Sequence, residues 1–71
     1  MKNNIKQLRK AAGLRQEDLA KQVGVSRQTI IAVENNKYDP TLELAMKLAI
    51  ALDKKVEDIF FLNWTKSVIL T

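Results

Sequence analysis

The chain has 71 residues, enough for one small domain, and it contains neither cysteine nor histidine. Disulfides and thiolate metal sites are therefore excluded, and so is the side chain that most often binds metals or performs acid–base catalysis. Its 46% hydrophobic and 28% charged residues are typical of a globular domain. No apolar run approaches the roughly 20 residues of a membrane-spanning helix, so we expect a cytoplasmic protein with no membrane partner.

The positive charge is concentrated in the first half of the chain. Residues 1–37 contain eight Lys and Arg against three Asp and Glu, whereas residues 38–71 contain four against five. This asymmetry fits either an ordinary solvated surface or a face that binds a polyanion. Charge alone does not decide between them.

The first helix is indicated by apolar spacing. Ile5, Leu8 and Ala12 fall on one helical face, which predicts a helix from about residue 2 to residue 12. Gly13 follows it, and glycine is the residue that most readily adopts the left-handed conformation at a helix end. We therefore expect the helix to end there.

Two further helices follow closely. The second is predicted from Gln16 to Gly24, and the third begins after Ser26, a good N-cap, with Ile30 and Val33 on its apolar face. The apolar positions of the second helix are Leu19, Ala20 and Val23. Residues 35–40 are a loop by composition.

The second half predicts two more helices and a strand. Thr41 caps a fourth helix that ends near residue 52, and residues 56–60 form a short fifth helix after a break at residues 53–55. The predicted inward face of the fourth helix is Leu42, Ala45, Leu48, Ala49 and Leu52. Residues 1–61 are therefore predicted to form an all-α, compact five-helix domain.

Residues 62–71 have a different pattern. Apolar and polar residues alternate along this tail, which is a strand signal. A lone strand leaves its backbone groups unpaired and needs a neighbour. Two neighbours fit: the N-terminus of the same chain, or the same tail of a second subunit.

Residues 16–33 have the spacing of a helix-turn-helix. Two helices that cross at about 90–120° through a turn of 3–4 residues nearly touch at the crossing. Ala20 is small at this close approach, and Gly24 lies in the turn, where a positive φ is expected. The wedge between the helices is filled by Leu19, Val23, Val25, Ile30 and Val33. A chance helical hairpin would match one or two of these features, not all.

Several segments resemble the phage repressor/Cro family, also called the Xre family. They are residues 16–20, 23–30, 34–40, 41–45 and 57–60, together with Arg9, Gly13 and Leu14. The resemblance covers roughly residues 3–60 and implies a repressor-like domain that binds double-stranded DNA sequence-specifically as a transcriptional regulator, usually a repressor. The short chain with its strand-like tail resembles very short dimeric members of the family.

The resemblance also implies base contacts, because the third helix enters the major groove in this family. The candidates are Arg27, Gln28, Thr29 and Ala32. Arginine can form two hydrogen bonds with guanine, and glutamine can do so with adenine. Without the surrounding motif, Arg27 and Gln28 would be ordinary exposed residues of a first helical turn.

Four residues are candidate phosphate contacts by the same resemblance: Gln16, Arg15, Asn35 and Lys37. Gln16 begins the second helix, and helix N-termini attract anions. Arg15 departs from the family, which usually has Ser or Thr as the cap here. This loses a cap worth about 1 kcal/mol and adds a guanidinium that could reach a phosphate.

Two positions beside the apolar stripes receive a structural interpretation. In relatives, the pair matching Arg9 and Glu34 forms a buried salt bridge between the first and third helices, which implies the same here.

Ile31 lies where relatives often have a polar residue. It either contacts a thymine methyl group or packs under a loop, and both alternatives remain open.

Large apolar residues cluster after the fourth helix: Phe60, Phe61, Leu62 and Trp64. They either close the core of this small domain or form a dimer interface. We favour a homodimer through the fifth helix and the tail, because such proteins usually bind palindromic operators whose half-sites lie about 34 Å apart.

An antitoxin or protein-interaction adaptor built on the same domain is the alternative function. An enzyme is disfavoured, because there is no glycine-rich phosphate loop and the carboxylates are scattered over predicted helix surfaces. The expected partners are double-stranded DNA and a second copy of the chain. No cofactor, metal or small-molecule ligand is expected.

Overall fold

The computed structural model describes residues 2–61, which form five helices and a two-stranded sheet. The elements in chain order are β1 (Lys2–Asn3), α1 (Ile5–Ala11), α2 (Gln16–Val23), α3 (Arg27–Glu34), α4 (Leu42–Leu52), α5 (Val56–Ile59) and β2 (Phe60–Phe61). The predicted five-helix domain with a helix-turn-helix is confirmed. None of these helices is long and apolar enough to cross a membrane.

A small sheet pairs the N-terminal segment with Phe60 and Phe61, earlier in the chain than the predicted tail strand, and it changes both ends of the helical domain. β1 and β2 are antiparallel, with Asn3 opposite Phe60 and Lys2 opposite Phe61. The first helix therefore begins at Ile5 rather than near residue 2. Likewise, α5 ends before Phe60, whose backbone is extended at φ −111° and ψ 137°. The predicted tail, residues 62–71, lies outside the described residues.

A side chain explains why the chain leaves the strand and enters α1. The Asn3 carbonyl Oδ1 accepts a hydrogen bond from the amide of Ile5 at 3.1 Å, which satisfies one of the unpaired donors at the start of α1. The Asn4 amide donates to the carbonyl of Ile59 at 3.0 Å. This bond continues the pairing between the two chain ends as far as α5.

The first four helices end in the same way, with a nested pair of backbone hydrogen bonds. At the end of α1, the Gly13 amide donates to Lys10 and the Leu14 amide donates to Arg9, both at 3.0 Å. This arrangement is a Schellman motif, and it needs one residue with a positive φ. Those residues are Gly13 (74°), Gly24 (74°), Asn36 (59°) and Asp53 (55°). The two glycines were predicted from the sequence.

The core lies between the helices and is closed by the sheet. Its fully buried side chains are Ile5, Leu19, Ile30, Val33, Leu48 and Ile59. Two residues predicted on apolar faces are exposed: Ala12, the C-cap of α1, and Leu42, which is 73% exposed, whereas Leu44 is buried. Leu44, Leu48 and Leu52 lie on successive turns of one face, while Leu42 is the first residue of α4, where side chains tilt past the helix end.

Asp53 offers a direct test of the helix endings. It has φ 55° without being glycine, and its carboxylate lies at the negative end of the α4 dipole. We expect Asp53→Gly to raise the free energy of unfolding by about 1 kcal/mol, or about 4–8 °C in Tm. Thermal unfolding followed by circular dichroism measures this.

The matched control is Lys54→Gly, one residue further along, where φ is not positive. This variant is expected to lower Tm slightly, because glycine there only adds entropy to the unfolded chain. If both variants lower Tm equally, the positive φ at Asp53 does not reduce the free energy of unfolding, and the prediction is wrong.

Candidate nucleic-acid interface

The helix-turn-helix is formed by α2, a turn at residues 24–26, and α3. Gly24 adopts φ 74° in the turn, as the sequence predicted. Leu19, Ala20 and Val23 of α2 are buried with Ile30 and Val33 of α3. Only one side of α3 is therefore used in the core, and its other side faces outward.

The first turn of α3 presents the candidate base-contacting residues. The Ser26 hydroxyl accepts a hydrogen bond from the Thr29 amide at 3.2 Å and lies 3.1 Å from the Thr29 hydroxyl. This N-cap fixes the start of the helix. Arg27 and Gln28 are exposed, whereas Thr29 and Ala32 are half-buried. Arg27 and Gln28 are thus the most accessible of the four candidates.

Gln16 links the first residue of α3 to a buried carboxylate. Its side-chain Nε2 donates to Glu34 Oε1 at 3.2 Å, and its Oε1 accepts from Arg27 Nε at 3.4 Å. The amide of Gln16 is thereby oriented at both ends. The family resemblance predicts that Gln16 contacts a DNA phosphate, but it did not indicate either of these two hydrogen bonds.

Glu34 also receives the guanidinium of Arg9. Arg9 Nε donates to Glu34 Oε2 at 2.7 Å, and Arg9 Nη2 lies 3.4 Å from Oε1. The two side chains are only 8% and 3% exposed. A third hydrogen bond, from Arg9 Nη1 to the carbonyl of Leu14 at 2.9 Å, ties the pair to the segment before α2.

Arg15 is exposed beside α2, and acidic neighbours hold its guanidinium. It lies 3.2 Å from Glu17 Oε1 and 3.2 Å from Asp18 Oδ2. The same carboxylate of Asp18 accepts the Arg15 backbone amide at 2.9 Å, which is half of a capping box. A phosphate would therefore compete with these carboxylates for Arg15.

These hydrogen bonds also affect the acidity of Asp18. The bond from the Arg15 side chain, followed by the one from its backbone amide, lowers the pKa of Asp18 below its ordinary value of 3.8. The pKa of Asp18 is therefore lower in the folded state than in the unfolded state. The contacts of the Asp18 carboxylate with Arg15 stabilise α2 fully above the unfolded pKa, and this stabilisation is lost as the pH falls through the folded pKa.

The two remaining phosphate candidates, Asn35 and Lys37, follow α3 and are both exposed. The Lys37 amide donates to the carbonyl of Ala32 at 2.8 Å, so the backbone is fixed at the end of α3. Gln16, at the start of α2, contacts both the first and the last residue of α3. The candidate phosphate contacts therefore come from two segments, the start of α2 and the residues that follow α3.

The residues predicted at a dimer interface differ in exposure. Phe60 is 7% exposed and belongs to the core of its own domain, whereas Phe61 is 44% exposed. Phe60 therefore has little surface left for a partner. Leu62 and Trp64 lie outside the described residues. Ile31 is half-buried on α3.

The fold and this site define a helix-turn-helix DNA-binding domain. The helix-turn-helix family model HTH_3 matches residues 5–59, and the chain belongs to this family. An HTH-type transcriptional regulator of Methanocaldococcus jannaschii is 60% identical over 60 residues, which cover 84% of this chain and 91% of the relative. The Xre-type resemblance is thereby confirmed, and the protein is a transcriptional regulator with a helix-turn-helix DNA-binding fold.

Solved structures agree with this assignment. The restriction-modification controller protein C.AhdI from Aeromonas hydrophila is 38% identical, with a TM-score of 0.74 over 79% of this chain and 85% of that one. The biofilm regulator SinR in complex with DNA is 31% identical, with a TM-score of 0.69 over 75% and 86% of the two chains. SinR has also been solved in complex with the SinI protein.

The buried Arg9–Glu34 pair gives a first prediction about the site. Glu34→Gln leaves the Arg9 guanidinium buried without its counter-charge, so we expect a loss of about 3–5 kcal/mol in the free energy of unfolding. Urea denaturation followed by circular dichroism measures it. An unchanged free energy of unfolding would contradict the structural role of Glu34.

A double-mutant cycle separates the pair from its surroundings. Arg9→Met and Glu34→Leu each leave one buried charge unpaired, whereas the double variant leaves none. We expect the double variant to be less destabilised than the sum of the two single variants. Strict additivity would mean that the ion pair contributes nothing.

Proposed function

We propose that the protein binds double-stranded DNA sequence-specifically as a homodimer and represses transcription from a palindromic operator. The observation that supports this most is the exposed first turn of α3, with Arg27 and Gln28 facing outward on a helix whose other side is buried in the core. A helix held in this way can enter the major groove. This proposal rests on the coarser assignment already made, a helix-turn-helix transcriptional regulator.

Arg27 and Gln28 are the proposed principal base contacts, with Thr29 and Ala32 beside them. Arg27 already gives one hydrogen-bond donor to Gln16 and retains its terminal amino groups for guanine O6 and N7. Ala32 presents a methyl group that suits contact with thymine. SinR, whose structure was solved with DNA, supports this use of the fold.

Phosphate contacts are proposed at the start of α2 and after α3. Gln16 lies at the N-terminus of α2, where unpaired backbone amides and the helix dipole attract an anion. Asn35 and Lys37 follow α3, and Arg15 adds a cation once it leaves Asp18. Such contacts orient the protein on the duplex without specifying sequence.

Dimerisation is proposed because one α3 covers only a few base pairs, whereas a two-fold dimer reads two half-sites about 34 Å apart. The exposed ring of Phe61, at the end of β2, supports an interface at the sheet and the following residues, including Leu62 and Trp64. A dimer bound across a promoter represses by excluding polymerase.

A second candidate function is an antitoxin or protein-interaction adaptor. One observation favours it: Leu42, Met46 and Ile50 lie on successive turns of α4 and are all exposed. The SinR–SinI complex shows that a protein with this fold can bind a protein partner. A toxin gene beside this one would favour the adaptor, whereas a palindrome upstream of its own gene would favour repression.

Selection of bound DNA from a random duplex pool tests the proposed function. We expect enrichment of a palindrome, and a fall in affinity with salt whose logarithmic slope is about 0.9 per phosphate contact. Arg27→Ala is expected to lose about 1–3 kcal/mol of discrimination at one base pair of each half-site. Failure of the wild type to enrich any sequence would count against the repressor.

Lys54→Ala is the matched control, since it removes one exposed positive charge outside the helix-turn-helix. It is expected to leave the selected sequence unchanged and to alter affinity for all DNA equally. If Arg27→Ala behaves in the same way, Arg27 binds phosphate and does not read a base.

The dimer is tested by sedimentation equilibrium over a range of protein concentrations. Phe61→Ser removes an apolar ring from the proposed interface, so we expect dissociation at a concentration at least tenfold higher than in the wild type, from the loss of about 1.5–3 kcal/mol of apolar burial. Tyr38→Ser is the control, because Tyr38 is also 44% exposed but lies in the loop after α3. A wild-type mass that stays monomeric at every concentration would refute the dimer.

A further inference from the structure

Asn3 lies where the sheet, the start of α1 and the end of α3 meet. Its Nδ2 donates to the carbonyl of Val33 at 2.8 Å and to Asn36 Oδ1 at 3.2 Å. Its Oδ1 accepts from the Ile5 amide at 3.1 Å. Both N–H groups of the Asn3 side chain donate, and its Oδ1 accepts one hydrogen bond. These bonds connect Asn3 to the end of α3 and to the start of α1.

The contacts with α3 fall on the segment that ends the helix. The carbonyl of Val33 accepts the Asn36 amide at 3.1 Å as well as the Asn3 side chain. Asn36 is the residue with φ 59° that ends α3, and its side chain accepts the second hydrogen bond from Asn3. The Asn3 amide thus fixes both the last turn of α3 and the left-handed residue after it.

We propose that Asn3 is a positioning residue for sequence-specific DNA binding, which holds the C-terminal end of α3 against the sheet. This inference rests on the proposed function, in which α3 contacts the bases. Gln16 bonds Arg27, the first residue of α3, and Arg9 and Gln16 bond Glu34, the last residue. Asn3 adds a contact from β1, so α3 is held by side chains of three different elements.

The same residue connects α3 to the proposed dimer contact. Asn3 pairs with Phe60 in the sheet, and the next pair along is Lys2 with Phe61. The side chain that holds α3 therefore lies one residue from the strand position opposite Phe61. A shift of β1 relative to α3 would alter the orientation of each reading helix in a dimer.

Asn3→Asp separates the contacts with α3 from the contact with α1. The carboxylate retains an acceptor for the Ile5 amide at the start of α1. It loses both donors, however, and faces the carbonyl oxygen of Val33 without a proton to share. Lys2→Gln is the matched control, because it changes the net charge by the same amount at the neighbouring, exposed position.

Two measurements are made on the full chain. Amide hydrogen exchange at Asn36 and Lys37 reports the end of α3, with the core amides of α4 as the internal reference for global stability. We expect these two amides to exchange about tenfold faster in Asn3→Asp than in Lys2→Gln, as for the loss of one or two hydrogen bonds. The second measurement is the ratio of affinities for the selected palindrome and for unrelated DNA, which we expect to fall about tenfold.

Asn36→Gly is a second variant in case Asn3→Asp does not fold. It removes the whole Asn36 side chain, including the oxygen that Asn3 contacts, and the strain relieved at the positive φ partly offsets the lost hydrogen bond. We expect a smaller change in the same direction, about threefold in the specificity ratio. Unrelated DNA should bind as in the wild type, because Asn36→Gly changes no charge.

The outcomes decide the proposal separately from the function on which it rests. Unchanged exchange in both Asn3→Asp and Asn36→Gly overturns the link to α3. Faster exchange with an unchanged specificity ratio overturns the positioning role. If the wild type itself prefers no sequence, the proposed function fails, and the exchange data alone then decide whether Asn3 holds α3.

Discussion

A buried carboxylate needs a counter-charge and several hydrogen bonds, and the way Glu34 obtains them organises the helix-turn-helix. Desolvating such a charge costs several kcal/mol unless its partners are placed correctly. Arg9 of α1 supplies the charge, and Gln16 of α2 supplies a further donor. Since Glu34 is the last residue of α3, one carboxylate joins three helices. Their relative positions are then constrained by hydrogen-bond directions, which tolerate less variation than contacts between apolar surfaces.

Short helices make this constraint necessary. α2 and α3 have eight residues each and α1 has seven, too few to be stable outside the packed domain. Each ends in a left-handed residue that satisfies the last carbonyls and reverses the chain at once. Gly13 and Gly24 adopt this conformation freely. Asn36 and Asp53 do so with a side chain, and Asn36 then uses that side chain to accept the amide of Asn3.

How far the sequence predicts this structure depends on the range of the interaction concerned. Apolar periodicity, caps such as Ser26 and the glycine ends are local signals, and they predicted the five helices and the helix-turn-helix. Pairing with the N-terminus was one of two predicted alternatives, but the strands themselves were not located, because two-residue strands have no periodicity and their partners lie far apart in the sequence. Leu42 was misassigned because spacing alone does not show where the core stops. The Gln16–Glu34 and Asn3–Val33 bonds depend on tertiary structure, and no local pattern indicates them.

The division of α3 into two faces explains why polar contacts hold its ends. A helix that reads DNA must leave its outer side free, so fewer of its residues can pack in the core than in a helix covered on both sides. Ile30 and Val33 provide burial on the inner side. Hydrogen bonds from Gln16 reach the first and last residues of α3, and the Asn3 side chain reaches the carbonyl of Val33. These directional contacts add to apolar packing in orienting the first turn of α3.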